Sequence, residues 1–216
     1  MINNSFLIFF LSALLHISGC KSSANKYFTG TIEYAYSYSS DSLKVDSLTA
    51  ARPKKGFFRY DENDYQSRFI GAGTNTYYYS GALNKCVSES GVQKNYMCED
   101  YGATTDSVLT FKLYDTGEKV LGYSCKILEI QKTSSWVKYY VSKEIKMSPV
   151  TYRKQRAYNW DFYGEKAEGG VVLKLEHRFK TFTMSGIATG LKEYDTDFKA
   201  LQMDENKFAE ICNVKK

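Results

Sequence analysis

The sequence predicts a mainly β, single-domain protein built on an antiparallel sheet, and three observations carry that prediction. Apolar and polar residues alternate with period two over most of the chain, which places successive side chains on opposite faces of a strand. Aromatic residues make up 16% of the sequence, with 19 Tyr and 13 Phe, types that suit a pleated surface, and there are 2 Pro to interrupt it. At 216 residues the chain can build one sizeable core but is short for two domains.

The N-terminal 19 residues contain no Lys, Arg, Asp or Glu, so the net charge of +5 lies in the remainder. Phe6 to Leu15 is apolar but too short to span a bilayer. Ile17-Ser18-Gly19-Cys20 follows it and resembles the lipobox of bacterial lipoproteins, although no early Lys or Arg precedes it. That resemblance implies a signal peptide over 1–19, cleavage after Gly19 and diacylation of Cys20. The mature chain would be anchored to a membrane by two acyl chains, which hold stably where one does not. Lys21 beside the cysteine points to the outer membrane, on either its periplasmic or its surface face. The expected divisions are then a lipidated cysteine and tether over 20–27, an antiparallel β domain over 28–203, and a short helix with a tail over 204–216.

Within the β domain the first strand sets Phe28, Ile32, Tyr34, Tyr36 and Tyr38 on one face. Residues 39–53 form either a loop or a short helix opened by Asp41, ended at Arg52-Pro53. Strands follow at 56–61, 65–70 and 76–80, separated by Asp-Glu-Asn-Asp and Gly-Ala-Gly-Thr-Asn turns. A hairpin centred on Val92 would oppose residues whose numbers sum to 184, which brings Cys86 opposite Cys98 and within disulfide reach. Cys125 and Cys212 complete a set of four non-lipidated cysteines whose pairing the sequence leaves open. A strand at 107–115 turns through Asp115-Thr-Gly-Glu into a long hairpin. In that hairpin Leu121, Tyr123, Cys125 and Ile127 alternate along one strand, and Val137, Tyr139 and Val141 along the other.

Alternation stops at Met147 and resumes after Gly170. The gap holds Tyr152, Tyr158, Trp160, Phe162 and Tyr163, too aromatic for a solvated linker. Ser148-Pro149 suits the start of a helical turn. The aromatics either fold back as a lid on the sheet or cap the edge of its core. Val171 to Phe179 alternates again, and Thr181 to Leu191 changes phase across Gly186, which predicts a bulge there. Asp204 is placed to cap a terminal helix.

Few residues offer chemistry. The mature chain has one histidine, His177, on an apolar strand face, so a packed histidine is favoured over a catalytic one. The cysteines lack zinc-ligand spacings, and Asp61-Glu62-Asn63-Asp64 reads as a hairpin turn more than a calcium loop. Lysines and acids are interspersed, with no stripe for nucleic acid. Catalytic residues, metal and cofactor are therefore all expected to be absent, and the protein is expected to be a monomer and not an enzyme. Tyrosine clusters at 77–79 and 139–140 suit a half-wet surface that holds a greasy or sugar-like ligand.

Gly122-Tyr-Ser-Cys-Lys-Ile, Val137-Lys-Tyr-Tyr-Val-Ser-Lys-Glu-Ile, Pro149, Trp160 and Leu173-Lys-Leu resemble uncharacterised bacterial envelope lipoproteins with a Gly-Tyr-x-Cys-Lys strand signature. Those families are distantly similar to the Lol-type lipoprotein carriers. The resemblance implies a curved half-barrel whose concave face takes a lipid or acyl chain under a lid, here supplied by an aromatic loop where Lol carriers use clear helices. On that reading Tyr36, Tyr78, Tyr139, Trp160, Phe162 and His177 are the candidate ligand-binding residues. The alternative is an envelope or surface interaction module that binds a protein or glycan through its Tyr-rich sheet.

Overall fold

The computed structural model describes residues 27–91, 94–103, 106–194 and 203–213. The signal peptide expected over 1–19 and Cys20 lie outside them. Eleven strands form one antiparallel sheet: β1 (Gly30–Ser39), β2 (Lys55–Tyr60), β3 (Asp64–Ile70), β4 (Thr74–Ser80), β5 (Lys85–Ser90), β6 (Asn95–Asp100), β7 (Val108–Val120), β8 (Tyr123–Lys132), β9 (Trp136–Lys146), β10 (Gly170–Arg178) and β11 (Thr183–Glu193). Among the described residues three short α-helices accompany them: α1 (Val45–Ala50), α2 (Trp160–Lys166) and α3 (Glu205–Ile211). The strand order is β6-β5-β4-β3-β2-β1-β11-β10-β9-β8-β7, so two meanders meet where β1 pairs with β11.

This order forces curvature. β6 and β7 are opposite edges of the sheet, yet only residues 101–107 join them. Such a link reaches at most about 28 Å, whereas the edges of a flat eleven-stranded sheet would stand about 48 Å apart. The sheet therefore curls into an open cup. Its concave face carries the main core, with Ile32, Tyr34, Leu128, Ile130, Val137, Val141, Val171 and Leu173 all buried.

Several local expectations shift by one or a few residues. β5 and β6 pair Cys86 with Glu99 and Val87 with Cys98, one residue off the expected register, and the turn closes with Lys94 N–H donating to Gly91 O. A one-residue slip sends every side chain to the other face. Cys86 is thus buried under Tyr79 and Tyr101 on the concave side, while Cys98 faces the convex side. The expected Cys86–Cys98 bridge does not form. Cys98 instead bonds to Cys212, 114 residues away, with Cα atoms 5.2 Å apart, and Cys86 and Cys125 are free and buried. The bridge pins α3 to the convex face, where Phe208 and Met203 pack on Val87. Asp204 caps α3 as expected, accepting from the N–H groups of Asn206 and Lys207.

β7 does not turn at Asp115. It continues through a bulge between Asp115 and Lys119 to a turn at Leu121-Gly122, both with positive φ. In β8, Leu128 and Ile130 face the concave core, so the alternation read over Leu121 to Ile127 changes phase. The phase change in β11 falls three residues later than expected, at a bulge around Thr189 where β1 shifts register between Glu33 and Tyr34. Ile187 is consequently exposed, and Ala188 is the buried residue.

Candidate functional site

Two rows of side chains on β2, β3 and β4 form the floor of a cavity. Register places Phe58, Ser67 and Tyr77 side by side, and next to them Tyr60, Tyr65 and Tyr79. Tyr65 stacks on Tyr79, and Tyr79 on Tyr101. Ser67 is the one small residue among these rings, and the gap above it has nothing of its own to close it.

The connection from β9 to β10 supplies the roof. It opens at Ser148, whose Oγ accepts from Val150 N–H and whose carbonyl accepts from Thr151 Oγ1, with Pro149 preorganised in the first turn. Gln155, 1% exposed, donates from Nε2 to Tyr65 Oη at 2.8 Å and so ties roof to floor. Ala157 N–H donates to Tyr101 O, and Asn84 Nδ2 donates to Lys154 O. Tyr158 and Asn159 both take left-handed backbone angles, which turn the chain sharply into α2. There Trp160 packs on Tyr139 and Tyr163, and the Tyr163 hydroxyl donates to Gly170 O. Gly164 has to be glycine, because a Cβ would lie 2.0 Å from the Tyr152 ring. The aromatic segment is therefore a lid packed inside the cup.

Between floor and roof is a cavity of about 280 Å³, lined by nine aromatic residues among them Phe58, Tyr77, Tyr152 and Trp160, together with Ser67, Thr151, Gln155 and Met147. This is roughly twice the ~150 Å³ apolar cavity that admits a benzene ring, near the lower end of ligand-pocket volumes. None of the lining residues is Asp, Glu, Lys, Arg or His. Burial raises the hydroxyl pKa of Tyr60, Tyr65 and Tyr101, so these rings stay neutral. The site offers ring faces, hydroxyls and one amide, and no charge.

Of the six residues expected to contact a ligand, Trp160 lines this cavity. Tyr139 lies behind it, and Phe162 packs edge-on against Phe111 at the far side of the lid. Tyr36 covers Gly56 and Gly186 and touches Phe69, next to the cavity but outside its wall. Tyr78 points to the convex face, where its hydroxyl donates to Glu89 and it borders a polar groove with Arg59 and Arg68. His177 sits at the other end of the sheet, 3.9 Å from the Phe179 ring, with its pKa pushed down to about 4 by burial and by Lys132. The residues that sequence reading missed, Phe58, Tyr60, Tyr65, Ser67, Tyr101 and Gln155, carried one usable sign: the small Ser67 between Tyr65 and Phe69 in an otherwise aromatic alternation.

Among the described residues no group of His, Cys, Asp and Glu is arranged to hold a metal ion, and no helix is long and apolar enough to cross a membrane. No family model matches the sequence, and no curated protein matches it. Solved structures do show similarity. PNGF-II in one crystal form has a TM-score of 0.45 and 14% identity over 87% of this chain and 30% of its own. A beta-barrel-like protein of a domain of unknown function from Brucella abortus has a TM-score of 0.37 and 8% identity, over 79% of this chain and 100% of its own. A putative outer membrane lipoprotein-sorting protein domain from Vibrio parahaemolyticus has a TM-score of 0.33 and 9% identity, over 87% of this chain and 92% of its own. The chain thus spans about a third of the length of PNGF-II.

Proposed function

We propose that this protein is a non-enzymatic envelope lipoprotein, anchored through Cys20 to the outer membrane, that holds a neutral hydrophobic ligand under its lid, an acyl chain foremost. The observation that carries the reading is the uncharged aromatic cavity, half open and covered by a roof tied down through Gln155. An uncharged lining selects against ionic ligands, because a buried charge without a partner is costly. Ring faces and scattered hydroxyls accommodate a chain or flat apolar group with a weakly polar end.

Binding of a fluorescent fatty-acid methyl ester, an uncharged probe, to the purified, detergent-solubilised protein tests it. Wild type should bind the probe, and Ser67→Trp, which fills the gap between Phe58 and Tyr77, should abolish binding while the protein stays folded. A wild-type protein that binds neither the probe nor any co-purifying lipid in native mass spectrometry would overturn the reading. For the anchor, Cys20→Ser should release the protein from the detergent phase, and unchanged partitioning would count against lipidation.

A further inference from the structure

The first half of the lid, residues 147–160, is basic and apolar at once on its outer surface. Residues 147–160 contain Arg153, Lys154 and Arg156 and no acid, and all three side chains are exposed. Among the described residues none of the three lies within 4.0 Å of a carboxylate. Of the neighbouring carboxylates, Asp61 accepts from the N–H groups of Asn63 and Asp64, Asp64 from Gly81 N–H, Asp100 from Gly102 N–H and Asp161 from Phe162 N–H, and Glu99 lies near Tyr158. Around the basic residues stand exposed apolar side chains: Val150 at 44%, Leu83 at 42% and Tyr158 at 60%. Val150 lies against Gly81, and Tyr158 reaches from solvent into the cavity wall.

The chain also enters the domain at this rim. Phe28 N–H donates to Lys146 O at the root of the lid, and Tyr27 is close enough to Tyr152 to influence its hydroxyl electrostatically. From Tyr27 back to Cys20 the backbone reaches at most about 25 Å. A bilayer anchored at Cys20 would therefore be held beside the lid.

We propose that the lid surface of Arg153, Lys154, Arg156, Val150, Leu83 and Tyr158 docks on an anionic phospholipid surface and turns the cavity mouth toward the bilayer. Clustered cations beside a membrane are attracted to anionic lipid within about a Debye length, and flanking apolar side chains add burial at the headgroup boundary. Tyr158 joins the two functions, since it belongs both to the docking surface and to the wall of the cavity. The orientation toward the anchor rests on the lipoprotein reading above, whereas the docking itself rests on the lid surface.

The test compares the lipid-anchored full chain with and without Tyr158→Trp, reconstituted in vesicles that contain brominated lipid, so that quenching of Trp136 and Trp160 is subtracted. Quenching of the lid tryptophan should be at least threefold greater in vesicles with about one third phosphatidylglycerol than in pure phosphatidylcholine. The excess should vanish at about 0.5 M salt, where the Debye length falls to a few ångströms. It should vanish also in Arg153→Glu/Lys154→Glu/Arg156→Glu, whose exposed positions leave the fold intact. Equal quenching in the two vesicle types, or an unchanged excess in the triple variant, would overturn the docking. Binding of the fatty-acid ester probe measured in detergent should be the same with and without the triple substitution, so failure of the docking and failure of the cavity reading register in separate assays.

Discussion

The two halves of the concave face are built differently. On β8, β9 and β10 the core is aliphatic: Leu128, Ile130, Val137, Val141, Val171 and Leu173 are each at most 2% exposed. On β2, β3 and β4 it is aromatic, and a cavity remains. Branched aliphatic side chains interdigitate to crystal-like density. Rings held edge to face, such as Phe58 against Phe69, keep fixed planes and cannot deform into the space over Ser67. Tyrosine hydroxyls also have to keep a partner, and Tyr65 uses Gln155 of the lid for this. The same sheet thus makes a solid half that supports the fold and a hollow half available to a ligand.

The largest effect expected from this contrast comes from truncation in the solid half. Leu173→Ala should cost about 3 to 4 kcal/mol in chemical denaturation, whereas Ser67→Ala on the hollow floor should cost less than about 1. Equal losses would erase the distinction. The hollow half is also the one stapled from outside, by the bond from Cys98 on β6 to Cys212 beyond α3. Cys212→Ser should lower stability by about 3 kcal/mol, measured against wild type without reductant, because the bond closes a long loop. A negligible change would mean that the aromatic half holds itself.

Trp160→Ala gives a smaller stability effect and a larger functional one. The indole is partly exposed and lines the cavity, so we expect a loss of less than about 2 kcal/mol with at least tenfold weaker probe binding. A heavy loss of stability, with a wild type that never binds the probe, would make Trp160 a core plug and the cavity incidental.

The smallest effect concerns His177, at the far end of the solid half. Its folded pKa, about 4, lies below the unfolded value, 6.5. Its contribution is therefore complete above pH 6.5 and is lost as pH falls toward 4, where the unfolded chain takes up the proton first. The ring is partly open to solvent, so the loss should be at most about 2 kcal/mol. His177→Gln should flatten that portion of the stability profile between pH 6.5 and 4, and an unchanged slope would place the proton uptake elsewhere.

Much of the architecture was legible in the residues themselves. Alternation located the strands, Ser148-Pro149 and Asp204 marked two helical starts, and the aromatic content of 147–170 marked a segment, lid or core cap, that packs against the sheet. These signals are local. Period-two geometry, a cap that satisfies the next N–H groups, and a segment too aromatic for solvent all act within a few residues of chain.

What the sequence could not decide depends on closure. A single-residue shift at the 91–94 turn carried Cys98 to the convex face and out of reach of Cys86. Its true partner, Cys212, arrives from 114 residues away. Tyr78 and Tyr79 look alike in sequence, yet one meets Glu89 on the outer face and the other stacks between Tyr65 and Tyr101 inside the cup. Local patterning is enough to dictate a strand-rich chain with an aromatic segment set apart from its sheet. The pairing of β1 with β11, which joins the two meanders and curls them around that segment, settles which rings meet and which face is hollow, because those depend on contacts between residues far apart along the chain.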